Sequence, residues 1–189
     1  MVVLIGGRAG TGKTTVANML VKMCSQEGIL AEIIPFARGV KSTSRVMGWD
    51  GNKNEKGRRL LQEVGRIGRE YDKNLWANMA LQRIYELEHD EGPNGWMAII
   101  DDWRFINEGN LLSSKFITSK VRVTRPSEFH ALINTDLYND ISEISLPEWN
   151  EQEGYYNYVI HNNHGLNDLY CNTETVFLDL LGLGREKII

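Results

Sequence analysis

The sequence predicts an α/β fold, namely a three-layer α/β/α sandwich around a mainly parallel five-stranded sheet. Short apolar, β-branched runs alternate along the chain with longer segments of helical periodicity. This alternation is typical of parallel strands joined by crossover helices. The 189 residues are enough for one α/β domain and too few for two of ordinary size. We therefore expect a single domain over residues 1–189.

Composition narrows the classes of protein to consider. The formal net charge of −4 disfavours a nucleic-acid-binding surface, which usually carries excess positive charge. No apolar run approaches membrane-spanning length, and we expect no secretory signal before the first strand. Cys24 and Cys171 lack CxxC spacing and are predicted to be buried free thiols in a reducing compartment. We therefore expect a cytoplasmic protein without nucleic-acid or membrane partners.

The most informative motif follows the first strand. After the apolar run at residues 2–5, residues 7–14 match the pattern G-x-x-x-x-G-K-T, and a helical segment comes next. Glycines let backbone N–H groups point at an anion, and the helix adds the positive end of its dipole. The lysine reaches the outer phosphates and the threonine hydroxyl completes the shell of Mg²⁺. This motif predicts a P-loop for a nucleoside triphosphate, formed by Gly7, Gly10, Thr11, Gly12, Lys13, Thr14 and Thr15.

The elements of the first half follow from periodicity and from turn residues. Gly28 occupies a C-terminal capping position after the first helix. Pro35 lies near the end of the second strand, where a missing N–H is tolerated. Asn54 is a typical N-cap for the long helix that follows it. The predicted bounds, in chain order, are residues 13–27 (helix), 30–36 (strand), 37–47 (helix), 55–71 (helix) and 72–88 (helix).

The second half contains three further strands. Apolar runs at residues 96–102, 120–124 and 158–161 are short and bounded by turns or polar residues, as strands are. Apolar spacing then predicts a final helix over residues 166–181. The polar, weakly periodic stretch at about residues 125–156 is a candidate lid.

Two acids end the third strand. A buried parallel strand delivers such carboxylates to the carboxyl edge of the sheet, where a P-loop needs an acid for its metal. Asp101, Asp102 and the nearby Arg104 have this placement. We predict that Thr14 and one of the two acids hold the metal, directly or through water, and these residues alone leave open which of Asp101 and Asp102 serves.

A stripe of polar residues follows one face of the helix at residues 55–71. Arg58, Gln62, Gly65 and Arg69 recur at helical spacing, and no acid lies between the two arginines on this stripe. Two guanidinium groups flanking a glutamine suit an anionic ligand that carries a hydrogen-bonding base. The alternative is a merely solvated helix face.

Two segments beyond the P-loop are especially discriminating, namely E-K-G-R-R-L-L-Q at residues 55–62 and D-D-W-R-F at residues 101–105. They resemble the phage-type deoxynucleoside monophosphate kinases. The resemblance covers nearly the whole chain in the same order. It also involves Phe36, Ala37, Lys41, residues 48–51, Gly65, Arg69, Asp72, Leu75, Trp76, Asn107, Glu108, residues 121–126, Val159, Ile160, Asn162 and Gly165.

The resemblance implies transfer of the γ-phosphate of ATP, with Mg²⁺, to a deoxynucleoside 5′-monophosphate, for DNA precursor supply in the cytoplasm, or in the host cytoplasm if the protein is phage-encoded. It implies the nucleoside monophosphate kinase fold, with an acceptor-binding helical insertion at about residues 37–90 and the lid over the phosphates. The implied catalytic residues are Lys13, Asp102, Arg104 and Arg125, and the resemblance implies that Asp102 is the acid near the metal, together with Thr14. The implied acceptor-binding residues are Lys41, Arg58, Gln62, Arg69, Trp76 and Arg104.

Two other functions are compatible with the P-loop. One is a different small-molecule kinase, although an uncharged acceptor needs no pair of arginines. The other is a nucleotide-dependent ATPase or switch, but the chain lacks an N-K-x-D guanine-reading motif. The sequence departs from the kinase pattern at Arg66, Trp103 and Ile106, and no histidine-proline pair precedes Ser142. It therefore leaves open the base preference, discrimination between ribose and deoxyribose, the lid contacts and whether the chain forms a homodimer.

Overall fold

Parallel strands form one sheet at the centre of the molecule. The structure is a computed structural model that describes residues 1–90, 94–129, 133, 141–148 and 152–183. The strands are β1 (Val2–Gly6), β2 (Leu30–Ile33), β3 (Trp96–Trp103), β4 (Thr118–Thr124) and β5 (Tyr158–His161). The helices are α1 (Lys13–Gln26), α2 (Ala37–Val46), α3 (Glu55–Tyr71), α4 (Leu75–His89), α5 (Ile106–Ser113), α6 (Ile141–Ile144) and α7 (Leu166–Leu180). A 3₁₀ turn spans Ser127–Phe129.

The strand order β2-β3-β1-β4-β5 positions the functional groups. Because every strand in this order runs in the same direction, the carboxyl ends of β1, β3 and β4 meet at one edge. The P-loop follows β1 at that edge, and the acids of β3 lie beside it. This arrangement confirms the predicted α/β fold with a five-stranded parallel sheet.

Helices cover both faces of the sheet. On one face, α1 and α7 pack against alternate residues of the central strands, including Val3, Ile5, Met97 and Ile99. On the other face, α4 and α5 cover the residues between them, including Val2, Leu4, Ala98 and Ile100. These side chains are fully or almost fully buried, so the period-2 alternation of each strand supplies two separate cores.

Strand β3 contains an irregularity close to the predicted site. Ile100 pairs with Leu4 and Trp103 pairs with Gly6, so β3 has one more residue than β1 between these two pairs. The extra residue is a β-bulge, which interrupts the alternation of side chains. As a result Trp103, and not Asp102, joins the core on the face of Ile100.

Helices α2, α3 and α4 form a smaller unit with an apolar cluster of Val40, Val64 and Trp76. The predicted N-cap of α3 is present, because the Asn54 side chain accepts a hydrogen bond from the backbone N–H of Gly57 at 2.8 Å. The bounds of α3 agree with the predicted helix at both ends.

Several predicted features differ from the structure. Strand β2 ends at Ile33, short of the predicted strand end, because Pro35 cannot donate to the sheet and the chain turns into α2. The sequence reasoning missed α5, in which Leu112 is fully buried while Ile106 is exposed. Cys24 and Cys171 are free as predicted, but Cys171 is exposed. Within the described residues, none of the helices has the length and apolar character needed to cross a membrane.

Candidate active site

The P-loop is shaped by its glycines. Gly10 and Gly12 have φ values of 85° and 105°, in the left-handed region that favours glycine. A Cβ atom at Gly12 would lie 2.8 Å from the side-chain nitrogen of Asn162. A Cβ atom at Gly7 would lie 2.4 Å from the backbone carbonyl oxygen of Val123. Larger residues at these positions would therefore push the loop away from β4 and from Asn162, the residue after β5.

Lys13 lies across the loop that it follows. Its ammonium group donates hydrogen bonds to the carbonyl oxygens of Gly7 at 2.7 Å and Arg8 at 2.8 Å. Burial, together with the positive charge of Arg104, lowers the pKa of Lys13 to about 8. The hydroxyl of Thr11 also donates to the Arg8 carbonyl, at 2.9 Å, and this side chain is 1% exposed. The Thr11 side chain thus supports the loop and is not open to a ligand.

The two acids of β3 point to different neighbours. The hydroxyl of Thr14 donates to a carboxylate oxygen of Asp101 at 2.8 Å. The carboxylate of Asp102 instead accepts hydrogen bonds from the backbone N–H groups of Phe36 at 2.8 Å and Ala37 at 2.9 Å. Burial raises the pKa of Asp102. The structure therefore places Asp101, and not Asp102 as predicted, beside Thr14.

The period-2 pattern of β3 was the signal that distinguishes the two acids. Met97, Ile99 and Asp101 alternate on the sheet face that α1 covers, and Thr14 lies in the first turn of α1. Asp102 lies in the bulge, from which its carboxylate reaches the start of α2. The alternation Met97, Ile99, Asp101 is visible in the sequence and favours Asp101 as the acid that faces α1. The position of the bulge is not visible in the sequence.

Arg104 is held at the same edge by two acids that the sequence reasoning did not assign to the site. Its guanidinium group forms an ion pair with Glu143, whose other carboxylate oxygen accepts a hydrogen bond from the N–H of Ala9 at 2.7 Å. Glu108 accepts hydrogen bonds from the backbone N–H groups of Arg104 at 3.3 Å and Phe105 at 3.1 Å. Burial raises the pKa of Glu108 to about 7. No local periodicity predicts the position of Glu143, because its segment is short and polar.

A pocket opens beside the P-loop on the side of β5 and α7. It has a volume of about 430 Å³, and among its lining residues are Gly10, Gly12, Lys13, Thr14, Thr15, Arg125, Asn162 and Leu166. Arg125 donates to the Gly10 carbonyl at 3.4 Å and lies 4.8 Å from the ring centroid of Phe129. The side chain of Asn162 donates to the Thr11 carbonyl at 3.0 Å. Asn162 therefore supports the loop, and sequence reasoning had given it no role.

The predicted acceptor residues of α3 are spread along the helix. Arg69 lies near the sheet edge, with its guanidinium carbon 4.7 Å from the ring centroid of Phe105. Arg58 is exposed and donates to the Lys53 carbonyl at 2.9 Å. Eleven residues separate Arg58 from Arg69, which corresponds to about 16 Å along a helix at 1.5 Å per residue. The two arginines share a face but are too far apart to bind one phosphate group.

The other predicted acceptor residues lie on three helices. Gln62 is exposed on α3 and Lys41 is half-buried on α2. Trp76 is only 5% exposed, and its indole N–H donates to the Gly65 carbonyl at 3.0 Å. A Cβ atom at Gly68 would lie 2.2 Å from the Trp76 ring. Trp76 therefore packs between α3 and α4, and its contact with the acceptor stays a prediction.

Comparison with known proteins supports the fold assignment. No protein-family model matches the sequence, and a search of curated proteins finds no significant match. Shikimate kinase from Aquifex aeolicus superposes with a TM-score of 0.50 at 13% identity, over 96% of this chain and 97% of that chain. The crystal structure of APE1195 gives a TM-score of 0.50 at 16% identity, over 97% of this chain and 96% of that chain. These superpositions show that the chain shares its α/β fold with both proteins.

Proposed function

We propose that this protein is a kinase that transfers the γ-phosphate of ATP to a deoxynucleoside 5′-monophosphate. The observation that carries the proposal is the contact between Thr14 and Asp101 beside the P-loop, with Arg104 at the same edge of the sheet. A triphosphate-binding loop, a hydroxyl–carboxylate pair and an arginine are the groups that phosphoryl transfer needs, because this reaction depends mainly on positioning and charge neutralisation.

The residues beside Lys13 fit a magnesium ion. The Thr14 hydroxyl and the Asp101 carboxylate are 2.8 Å apart, and both supply the oxygen atoms that Mg²⁺ prefers. In the proposed enzyme, Thr14 and Asp101 hold Mg²⁺ directly or through water. The bound ion would neutralise part of the negative charge on the phosphates of ATP.

The remaining groups divide between the two substrates. The P-loop N–H groups and Lys13 bind the phosphates of ATP, and the pocket lined by Arg125 and Asn162 accommodates its nucleoside. Arg104 and Arg69 neutralise the phosphate of the acceptor. An oxygen of that phosphate attacks the γ-phosphorus, and the bond from the γ-phosphorus to the oxygen of ADP breaks. Exclusion of water by the predicted lid, at about residues 125–156, would limit hydrolysis.

The monophosphate acceptor is supported by the residues of α3. Arg69 lies near the sheet edge, and Gln62 lies seven residues earlier on the same face, which is about 10 Å along the helix. An acceptor with a phosphate at one end and a hydrogen-bonding base at the other would suit this separation. The sequence resemblance to phage-type deoxynucleoside monophosphate kinases points to the same acceptor.

A second candidate is a kinase for another small molecule. The superposition with a shikimate kinase is the observation that favours it. Such an acceptor would not depend on Arg69 as a phosphate ligand, and its recognition would rest on groups outside α3.

An ADP-release assay with ATP and Mg²⁺ tests the proposal. Ribonucleoside and deoxynucleoside monophosphates, together with shikimate, are each added as the acceptor. We expect at least one deoxynucleoside monophosphate to accelerate ADP release about tenfold or more over the rate without acceptor. Acceleration by shikimate alone would favour the second candidate. ATP hydrolysis that no acceptor changes would contradict the proposed kinase and a shikimate-type kinase, and would favour an ATPase or a switch.

Lys13→Ala is the matched control for this assay. It removes the ammonium group of the P-loop while leaving the backbone N–H groups, so we expect turnover to be abolished. The thermal unfolding temperature of the variant reports whether the fold is retained. Near-normal turnover by a folded Lys13→Ala variant would rule out the proposed ATP site.

A further inference from the structure

The ion pair between Glu143 and Arg104 joins the two halves of the proposed site. One carboxylate oxygen of Glu143 accepts from the N–H of Ala9 at 2.7 Å, inside the P-loop. The other oxygen contacts the Arg104 guanidinium, at the end of β3. The side chain of Glu143 is only 6% exposed, so both contacts are shielded from water. The Glu143 carboxylate thus bridges the Ala9 N–H of the P-loop and the Arg104 guanidinium on the acceptor side.

The charges around Glu143 are those expected around a phosphoryl group. Lys13, Arg104 and Arg122 are close enough for their charges to interact, and the positive charges of both arginines lower the pKa of Lys13. The negative charge of Glu143 has the opposite effect on this pKa. Glu143 therefore compensates the positive charge of the loop region, as a bound phosphate would.

The segment that carries Glu143 is anchored by other residues. Leu146 is 6% exposed and packs so closely on Gly6 that a Cβ atom there would lie 2.8 Å from it. Glu148 contacts the guanidinium groups of Arg8 at 3.2 Å and Arg122 at 2.9 Å. Leu146 and Glu148 therefore hold the segment independently of Glu143, so release of Ala9 would require only the Glu143 side chain to move.

We propose that Glu143 occupies the place of the transferring phosphoryl group in the free protein, and that substrate phosphate must displace it from Ala9 and Arg104. This inference rests on the function proposed above, because it takes the P-loop as the donor site and Arg104 as an acceptor-side group. Displacement would free the Ala9 N–H for ATP and the Arg104 guanidinium for the acceptor in the same movement. Glu143 thereby couples the filling of the two sites.

Titration calorimetry with magnesium pyrophosphate and the full chain tests this inference. Pyrophosphate probes the phosphate site without requiring that the acceptor be known. Glu143→Gln keeps the size of the side chain but removes the charge that competes with phosphate. We expect Glu143→Gln to bind pyrophosphate about tenfold more tightly than the wild type, since it removes a charge-assisted contact that the ligand otherwise has to break.

Glu63→Gln is the control for net charge. Glu63 pairs with Arg66 on the exposed face of α3, so its substitution changes the net charge of the protein equally but leaves the loop untouched. We expect its affinity for pyrophosphate to stay within about twofold of the wild-type value. Equal tightening by both variants would mean that net charge alone is responsible, and would overturn the inference.

The remaining outcomes separate this inference from the proposed function. If pyrophosphate binds the wild type and Lys13→Ala abolishes binding, the phosphate site stands; unchanged or weaker binding by Glu143→Gln would then overturn the role of Glu143 alone. If Lys13→Ala binds pyrophosphate as the wild type does, or no form binds it, the proposed function fails as well. The shift in unfolding temperature that pyrophosphate causes, measured from each variant's own baseline, should be larger for Glu143→Gln than for the wild type.

Discussion

The sheet edge and the helical unit of α2, α3 and α4 both contain charged residues predicted to bind phosphate, but they differ in how those residues are held. At the edge, Lys13, Asp101 and Glu143 each contact a neighbouring strand, loop or helix end at hydrogen-bonding distance. On α3, the one hydrogen bond described for the Arg58 side chain goes to the carbonyl oxygen of Lys53, in the loop just before the helix. The edge is organised before a ligand arrives, whereas most of the helix face is not.

This difference has a geometric cause. Parallel strands end side by side, so residues distant in sequence converge at one edge. A helix instead advances 1.5 Å per residue, so a stripe of residues on one face is also a line many ångströms long. Residues that share a helix face therefore point in the same direction but need not lie close together. Among the contacts described for the stripe on α3, Arg69 is the residue that lies beside the sheet edge, at Phe105.

The strongest test of the edge compares its two adjacent acids. Asp101→Asn removes a carboxylate next to Thr14 while keeping its shape, so we expect kcat to fall at least about 100-fold without loss of the fold. Asp102→Asn weakens the hydrogen bonds to Phe36 and Ala37, so we expect mainly a lower free energy of unfolding. Steady-state kinetics and denaturant unfolding of both variants provide the measurements. A larger kinetic loss for Asp102→Asn would reverse the assignment.

The next effect concerns how Arg104 is held at the edge. Burial raises the pKa of Glu108 from 4.5 to about 7, so between these values the native state binds a proton that the unfolded chain has released. The stabilisation associated with that proton is complete below about pH 4.5 and is lost as the pH rises through about 7. Glu108→Gln still accepts the two backbone N–H groups but does not titrate. Between pH 5 and pH 7, the unfolding free energy of the wild type should fall by about 2 kcal/mol relative to that of Glu108→Gln.

Denaturant unfolding at pH 5, 6 and 7 measures this difference, and Glu63→Gln serves as an exposed control whose curve should remain parallel to that of the wild type. Parallel curves for Glu108→Gln and the wild type would mean that Glu108 is ionised throughout this range. The holding of Arg104 would then be independent of protonation.

The fold was more predictable than the site, for physical reasons that particular residues illustrate. The P-loop, α3 and its Asn54 cap depend on local sequence, and the structure reproduces all three. The choice between Asp101 and Asp102 depends on strand alternation and on a bulge, of which only the first is visible in the sequence. The contact of Glu143 with Ala9 joins residues 134 positions apart, and no local pattern reports such a pairing. The position of Trp76 depends on packing between helices. An aromatic residue is equally suited to such packing and to contact with a ligand, so its type does not distinguish the two roles.

A matched pair of arginines tests the acceptor half. Arg69 and Arg58 lie on the same face of α3, so replacing each by Met removes the same charge and keeps much of the aliphatic stem. We expect Arg69→Met to raise the KM for the acceptor about tenfold, because it removes a positive charge beside Phe105, the residue that follows Arg104. Arg58→Met should change this KM by less than about threefold. Similar increases for both variants would favour an acceptor that extends along the whole helix face.

The smallest expected effect concerns Trp76, which the sequence suggested as an acceptor contact and the structure buries between α3 and α4. Trp76→Phe removes the hydrogen bond to Gly65 and part of the ring surface that packs on Gly68. We expect the free energy of unfolding to fall by about 1 kcal/mol, with the acceptor KM unchanged within about twofold. Denaturant unfolding and acceptor titration separate the two roles. A raised KM at unchanged stability would mean that α3 and α4 part to admit the acceptor, because the indole has no path to a ligand while the helices remain packed as they are.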